Sequence, residues 1–120
     1  MNTLLFVYGT LKRGCGNHHH LAEQTFVGEA RTARGFCLFA LTGYPGLVAR
    51  EDPTDGVVGE VWSVDPEKLR HLDEFERVAE GLYRRVPIAL RSPFAEQPID
   101  AYLYARQVDG RRDLGSNWVE

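Results

Sequence analysis

Only one segment of this 120-residue chain combines a helical start signal with a helical period, and that scarcity constrains the fold more than any other feature. Asp65-Pro66 supplies a side-chain cap followed by proline at the first helical position, where its missing N–H costs nothing. The spacing predicts a helix from there through about Arg77. Elsewhere apolar residues alternate or form short blocks between Gly and Pro, over 4–7, 26–32, 36–41, 46–50, 57–64, 83–91 and 99–106. Such blocks are read as strands. Leu4-Leu5-Phe6-Val7 is apolar on both alternating faces, as a strand covered on both sides would be. A short helix is expected over 18–24, with Asn17 as its N-cap. Many short strands beside one strong helix imply an α+β domain on a curled or barrel-like sheet, because the strict alternation of a doubly wound fold is missing. Pro87 and Pro98 are expected at strand ends or bulges, since neither can donate to a ladder.

The length suits one domain, residues 1–120, around a single core, and no repeat or linker divides it. From Val108 onward, 108–120 reads as a loose C-terminal tail carrying Trp118. The formal net charge of -3, with Arg84-Arg85 and Arg111-Arg112 as isolated pairs, gives no general attraction to nucleic acid or an anionic membrane. No apolar run approaches the roughly 20 residues that span a bilayer, and the N-terminus lacks a signal-peptide pattern. The expected setting is therefore the cytoplasm and the expected partner a small molecule; oligomeric state is unspecified. Cys15 and Cys37 cannot build a disulfide framework, and a reducing compartment would keep both as thiols, although one bridge between them is compatible with the sequence.

Within "PEKLRHLDEFER" the acidic residues separate by angle. At about 100° per residue from Leu69, Leu72 falls near 300° and Phe75 near 240°, which defines a buried stripe. Glu76 comes to roughly 340°, inside that stripe, whereas Asp73 at about 40° lies on its flank and Glu74 at about 140° lies opposite. Asp73 and Glu74 are expected on a solvated face. A carboxylate in apolar surroundings either pairs with a cation or has its pKa raised towards neutrality, and the second state suits a general base and acid. The alternative is a frayed helix end that turns Glu76 to water.

The glycine-rich loop 9–16 opens like a P-loop, but Cys15-Gly16 stands where Lys-Ser/Thr would have to follow. The dinucleotide fingerprint fails as well, since His19 occupies the third glycine position. What remains is a strand end with backbone N–H groups able to bind a carboxylate or a developing oxyanion, or simply a tight turn. His18-His19-His20 with Cys15 invites a metal or thiol site. Consecutive histidines rarely converge on one ion, no second ligand cluster exists, and nothing in the sequence orients a histidine towards Cys15. No metal is expected.

"FVYGTLKRG", "GEVWSVD", "LDEFE", "YRRV" and "YLYAR" resemble, in this order over residues 4–106, the γ-glutamylcyclotransferase-like family, with the γ-glutamylamine cyclotransferase branch and its small bacterial relatives as the nearest pattern. This resemblance implies a mixed β-barrel with flanking short helices. It also implies cofactor-free cleavage of a γ-glutamyl amide, in which the substrate's α-amine attacks its γ-carbonyl and releases 5-oxoproline and a free amine. The family's binding loop falls on Tyr8, Gly9, Thr10 and Leu11, and its catalytic glutamate on Glu76. Arg85, Tyr104 and the Tyr44-Pro45-Gly46 turn also match. Arg85 would orient a carboxylate or form a structural ion pair, Tyr104 would line the pocket or pack, and Tyr44 would border the site or only turn the chain. Glu60 is either paired near the site or the end of an exposed edge. The leaving amine is left open: glutathione, a γ-glutamyl-lysine-type amide and an acyl-protected metabolite all fit. A second reading is a non-catalytic binding module for a small carboxylate or γ-glutamyl-type ligand, in which the pocket outlives the chemistry.

Overall fold

A computed structural model describes residues 1–50 and 55–119. The strands are β1 (Thr3–Val7), β2 (Thr25–Arg31), β3 (Phe36–Ala40), β4 (Pro45–Ala49), β5 (Val58–Val64), β6 (Tyr83–Pro87), β7 (Asp100–Tyr104) and β8 (Asp113–Gly115), with one α-helix, α1 (Pro66–Phe75). They form a five-stranded sheet, β2-β5-β1-β7-β6, and a three-stranded sheet, β4-β3-β8. β1 lies at the centre, antiparallel to β5 and parallel to β7.

The two-sided apolarity of β1 has a direct structural counterpart. Phe6 points into a cluster with Leu38 and Leu47 of the smaller sheet, while Leu5 and Val7 point the other way, towards Leu11, Leu21, Leu69 and Leu72. The second sheet covers one face of β1, and α1 with the glycine-rich loop covers the other. Phe6, Leu5, Leu38, Leu47 and Leu72 are fully buried.

The mixed α+β class is as expected, but the larger sheet does not close into a barrel. Its edges meet at one end only, through a bridge between Thr32 and Leu90 and the bonds Ala33 N–H to Ala89 O and Arg91 N–H to Arg31 O, both 2.9 Å. Pro87, which has no N–H to donate, ends β6 where closure would have to continue.

Three local expectations are corrected. The helix expected over 18–24 is a single 3-10 turn, His18–Leu21, stopped before the left-handed Glu23 (φ 68°). Asn17 does not cap it; its Nδ2 donates instead to Thr10 Oγ1 at 3.0 Å. The segment expected as a loose tail pairs with β3 through β8, packs Leu114 and Trp118 on the core, and accepts Val58 N–H at Ser116 O, 2.8 Å away. An unpaired β3 edge beside two apolar side chains is reason enough for that docking; residue 120 lies outside the described residues.

The start of α1 follows its sequence signal. Asp65 Oδ1 accepts Lys68 N–H at 2.7 Å, with Pro66 in the first turn. Because the cap follows directly on β5, the far end of the helix is fixed about 15 Å away. No disulfide joins Cys15 and Cys37. Among the described residues no helix is long and apolar enough to cross a membrane.

Candidate active site

A cleft of about 330 Å³ opens where the loop after β1 meets the end of α1 and the starts of β4 and β6. Tyr8, Gly9, Thr10, Leu11, Tyr44 and Glu76, all named from the sequence, line it together. Gly9 lies so close to β4 that a Cβ there would come within 2.7 Å of Pro45 Cγ. The loop's carbonyls are occupied: Gly9 O accepts Lys12 N–H at 3.1 Å and Thr10 O accepts Asn17 N–H at 2.9 Å. Among the described residues, the N–H groups of Thr10 and Leu11 donate to no acceptor. Free donors beside satisfied acceptors make the loop receptive to an anion.

Glu76 is the C-cap of α1, its N–H bonded to Leu72 O at 2.8 Å, and left-handed Arg77 (φ 55°, ψ 45°) turns the chain away behind it. The angular reading placed Phe75 and Glu76 together in the buried stripe. Phe75 is the one displaced: it is 37% exposed at the cleft rim and packs against the His20 ring, tilted by 33° with centroids 4.3 Å apart. Burial pushes the Glu76 carboxyl up to about 7. Among the described residues, no ion pair or hydrogen bond holds that carboxyl.

Two of the surrounding phenols, Tyr8 and Tyr83, are committed to the backbone. Tyr8 donates to Tyr102 O at 2.5 Å, and Tyr83 donates to Pro45 O at 3.0 Å. Burial raises both above the usual phenol range, and the nearby Glu76 adds to the shift. Tyr83, Tyr102 and Asn17 line the cleft without having been singled out from the sequence. For the tyrosines a signal existed in the period of two, since Tyr102 shares a strand face with Tyr104.

Two matched residues stand outside the cleft lining. Arg85 is held between two carboxylates, its Nε 2.9 Å from Asp73 Oδ1 and its Nη1 2.8 Å from Asp100 Oδ2, so it takes the ion-pair alternative. Tyr104 packs its ring edge-on against Tyr83, with centroids 5.5 Å apart. Asp73, expected on a solvated face, is instead engaged by Arg85 and by the Tyr102 hydroxyl at 2.7 Å. Glu60 is buried and paired, accepting Arg13 N–H and Nε at 3.0 Å each and Trp62 Nε1 at 3.1 Å, which ties the glycine-rich loop to β5.

The three histidines do not form one group: the His18 ring lies 5.2 Å from that of Trp62, whereas the His19 and His20 rings lie 4.3 Å apart. His18 Nδ1 lies 2.9 Å from Leu11 O, while His20 Nδ1 lies 3.1 Å from His71 Nε2. Among the described residues, no three His, Cys, Asp or Glu side chains are grouped to hold a metal ion.

Comparison with known proteins shows the family and the fold. The family model described as "Gamma-glutamyl cyclotransferase, AIG2-like" matches residues 5–120. A human protein named gamma-glutamylaminecyclotransferase is 37% identical over 86% of this chain and 78% of its own length. The Escherichia coli protein YtfP, named as a gamma-glutamylcyclotransferase family protein, is 33% identical over 97% of this chain and 96% of its own. The crystal structure of an AIG2-like protein from Mus musculus superposes with a TM-score of 0.72 at 31% identity, covering 87% of this chain and 78% of that one. With a family match that runs from β1 to the last residue, the chain belongs to the gamma-glutamyl cyclotransferase, AIG2-like family.

Proposed function

We propose that this protein is an enzyme of the γ-glutamylcyclotransferase type that acts on γ-glutamyl amines, with Glu76 as its proton carrier. The observation that carries the reading is the Glu76 carboxyl: half-buried, without a partner among the described residues, raised to about 7 by desolvation, and on the same cleft as the loop Tyr8–Leu11. The substrate's α-ammonium gives a proton to Glu76. The freed amine attacks the γ-carbonyl, forming the C–N bond of a five-membered lactam. The original γ-amide C–N bond then breaks as the departing nitrogen takes the proton from Glu76, and the remaining extra proton on the lactam nitrogen passes through the regenerated Glu76 carboxylate to the released amine, which leaves as an ammonium. The products are 5-oxoproline and an amine, and no water or cofactor is consumed.

A group titrating near 7 can both take and return a proton at neutral pH, which an ordinary glutamate does poorly. The free N–H groups of Thr10 and Leu11 would stabilise the oxyanion of the tetrahedral intermediate. Neutral phenols around the cleft exclude water while keeping the substrate's chain folded for cyclisation. Tyr44 borders the same space. The human relative's name, which specifies γ-glutamyl amines, supports this substrate class.

The test is release of 5-oxoproline from a panel of γ-glutamyl amines, γ-glutamyl dipeptides and glutathione. Wild type is expected to release it, and Glu76→Gln to lose about 100- to 10,000-fold in kcat while staying folded. Full activity in Glu76→Gln sinks the mechanism. No release from any substrate, together with a rise in Tm on adding 5-oxoproline or glutamate, would instead identify a binding module.

A further inference from the structure

Asp73, one turn before Glu76 on α1, uses both carboxylate oxygens. Oδ1 accepts Arg85 Nε at 2.9 Å and the Tyr102 hydroxyl at 2.7 Å, and Oδ2 accepts Arg85 Nη2 at 3.2 Å. Arg85 Nη1 continues to Asp100 on β7 at 2.8 Å. The guanidinium fork therefore spans from helix to sheet, and its side chain is only 29% exposed. Residues three apart on a helix share a face, so a clamp on Asp73 also fixes the direction of Glu76.

Tyr102 adds a second connection. Its hydroxyl is turned to Asp73 while its own carbonyl accepts the Tyr8 hydroxyl. One residue thus joins the last turn of α1 to the strand end from which the loop 8–11 departs. A surface ion pair of this composition would contribute little, but a bidentate, partly buried pair closed by a phenol is geometrically restrictive.

We propose that Asp73, Arg85 and Tyr102 are positioning residues that hold the end of α1 so that Glu76 stays inside the cleft, facing the loop 8–11. The inference rests on the reading of Glu76 as proton carrier for its kinetic consequence, but not for its structural one. Without the clamp the helix end relaxes, water reaches the carboxyl, and the distance to the reacting nitrogen is no longer fixed.

The groups facing Glu76 are the phenols of Tyr8, Tyr83 and Tyr102, from three different strands or strand ends, with Tyr44 and Arg77 on the same cleft and His20 against Phe75. Burial keeps those three phenols above the ordinary range, so a carboxyl signal that moves near neutrality reports Glu76 itself.

The experiment is a carbon-13 NMR titration of Glu76 in wild type, Arg85→Lys and Tyr102→Phe, with kcat, KM and Tm on the same samples. Arg85→Lys keeps the charge and loses the fork; Tyr102→Phe loses one hydroxyl. In both, the Glu76 carboxyl is expected to titrate clearly lower than in wild type. kcat is expected to fall about 10- to 100-fold with KM within about threefold. A purely structural ion pair would lower Tm and move neither the titration nor kcat, and that result in Arg85→Lys overturns the proposal. Should Arg85→Lys not fold, the same comparison in Tyr102→Phe decides. The titration stands even if no γ-glutamyl amide is turned over, so failure of the proposed reaction and failure of the clamp are read separately.

Discussion

A carboxyl group that keeps its proton to about pH 7 has a thermodynamic signature of its own. Folded Glu76 holds its proton to higher pH than the unfolded chain, whose ordinary value is 4.5. Below that value both states are protonated and the group has no effect. As pH rises from there to about 7 the unfolded state ionises first, so stability is lost, and the loss levels off above the folded value. The shift corresponds to a loss on the order of 3 kcal/mol at pH 8. Glu76→Gln is therefore expected to melt higher than wild type at pH 8 and nearly equal to it at pH 4.5, a difference that paired thermal melts would read. Over the same range kcat/KM of wild type is expected to rise with an acid limb near 7. An activity profile flat from pH 5 to 8 would contradict the proton-carrier role. This residue was legible because helical angle alone points it inward. Its neighbour was not: the angle of Asp73 is a flank position, and nothing local announces that Arg85 arrives there from another strand.

At the scale of elements, the end of α1 is where sequence and structure part. The start signal at Asp65-Pro66 holds to the residue, because a cap is a local interaction. The stop is tertiary: Phe75 leaves the stripe and Arg77 adopts a backbone conformation that favours glycine. Replacing Arg77 by glycine is expected to stabilise the fold by about 1 kcal/mol by removing the Cβ penalty of that conformation, measurable as a raised urea midpoint. A lowered midpoint would mean that the Arg77 side chain contributes more than its strain costs. The glycine-rich loop was legible as a receptive strand end, but its partner across the cleft, Pro45, was visible only as part of a turn.

For the whole molecule, the α+β class could be read from many short strands beside one helix. The open sheet and the docked C-terminal segment could not. β8 has three residues, too few for an alternating pattern, and its pairing with β3 depends on a bare edge some 70 residues earlier in the chain. Removing residues 108–120 is expected to cost about 2–4 kcal/mol through lost burial of Leu114 and Trp118. Because no cleft-lining residue among the described ones lies beyond Tyr102, the truncated protein should retain 5-oxoproline release at low temperature. Activity lost while the fold persists would give the segment a part in the site.

The placement of β1 between β5 and β7 also governs when the site can exist. Its parallel neighbour is drawn from the opposite end of the chain, with Leu5 beside Asp100. When the first 80 residues have emerged from the ribosome, the loop, the Tyr44 turn and Glu76 are outside, yet the strand that anchors Tyr8 has not emerged to join them. Synthesis from the N-terminus therefore yields no partial catalyst: the cleft comes into being late and in one step, as the closing strand enters the middle of the sheet.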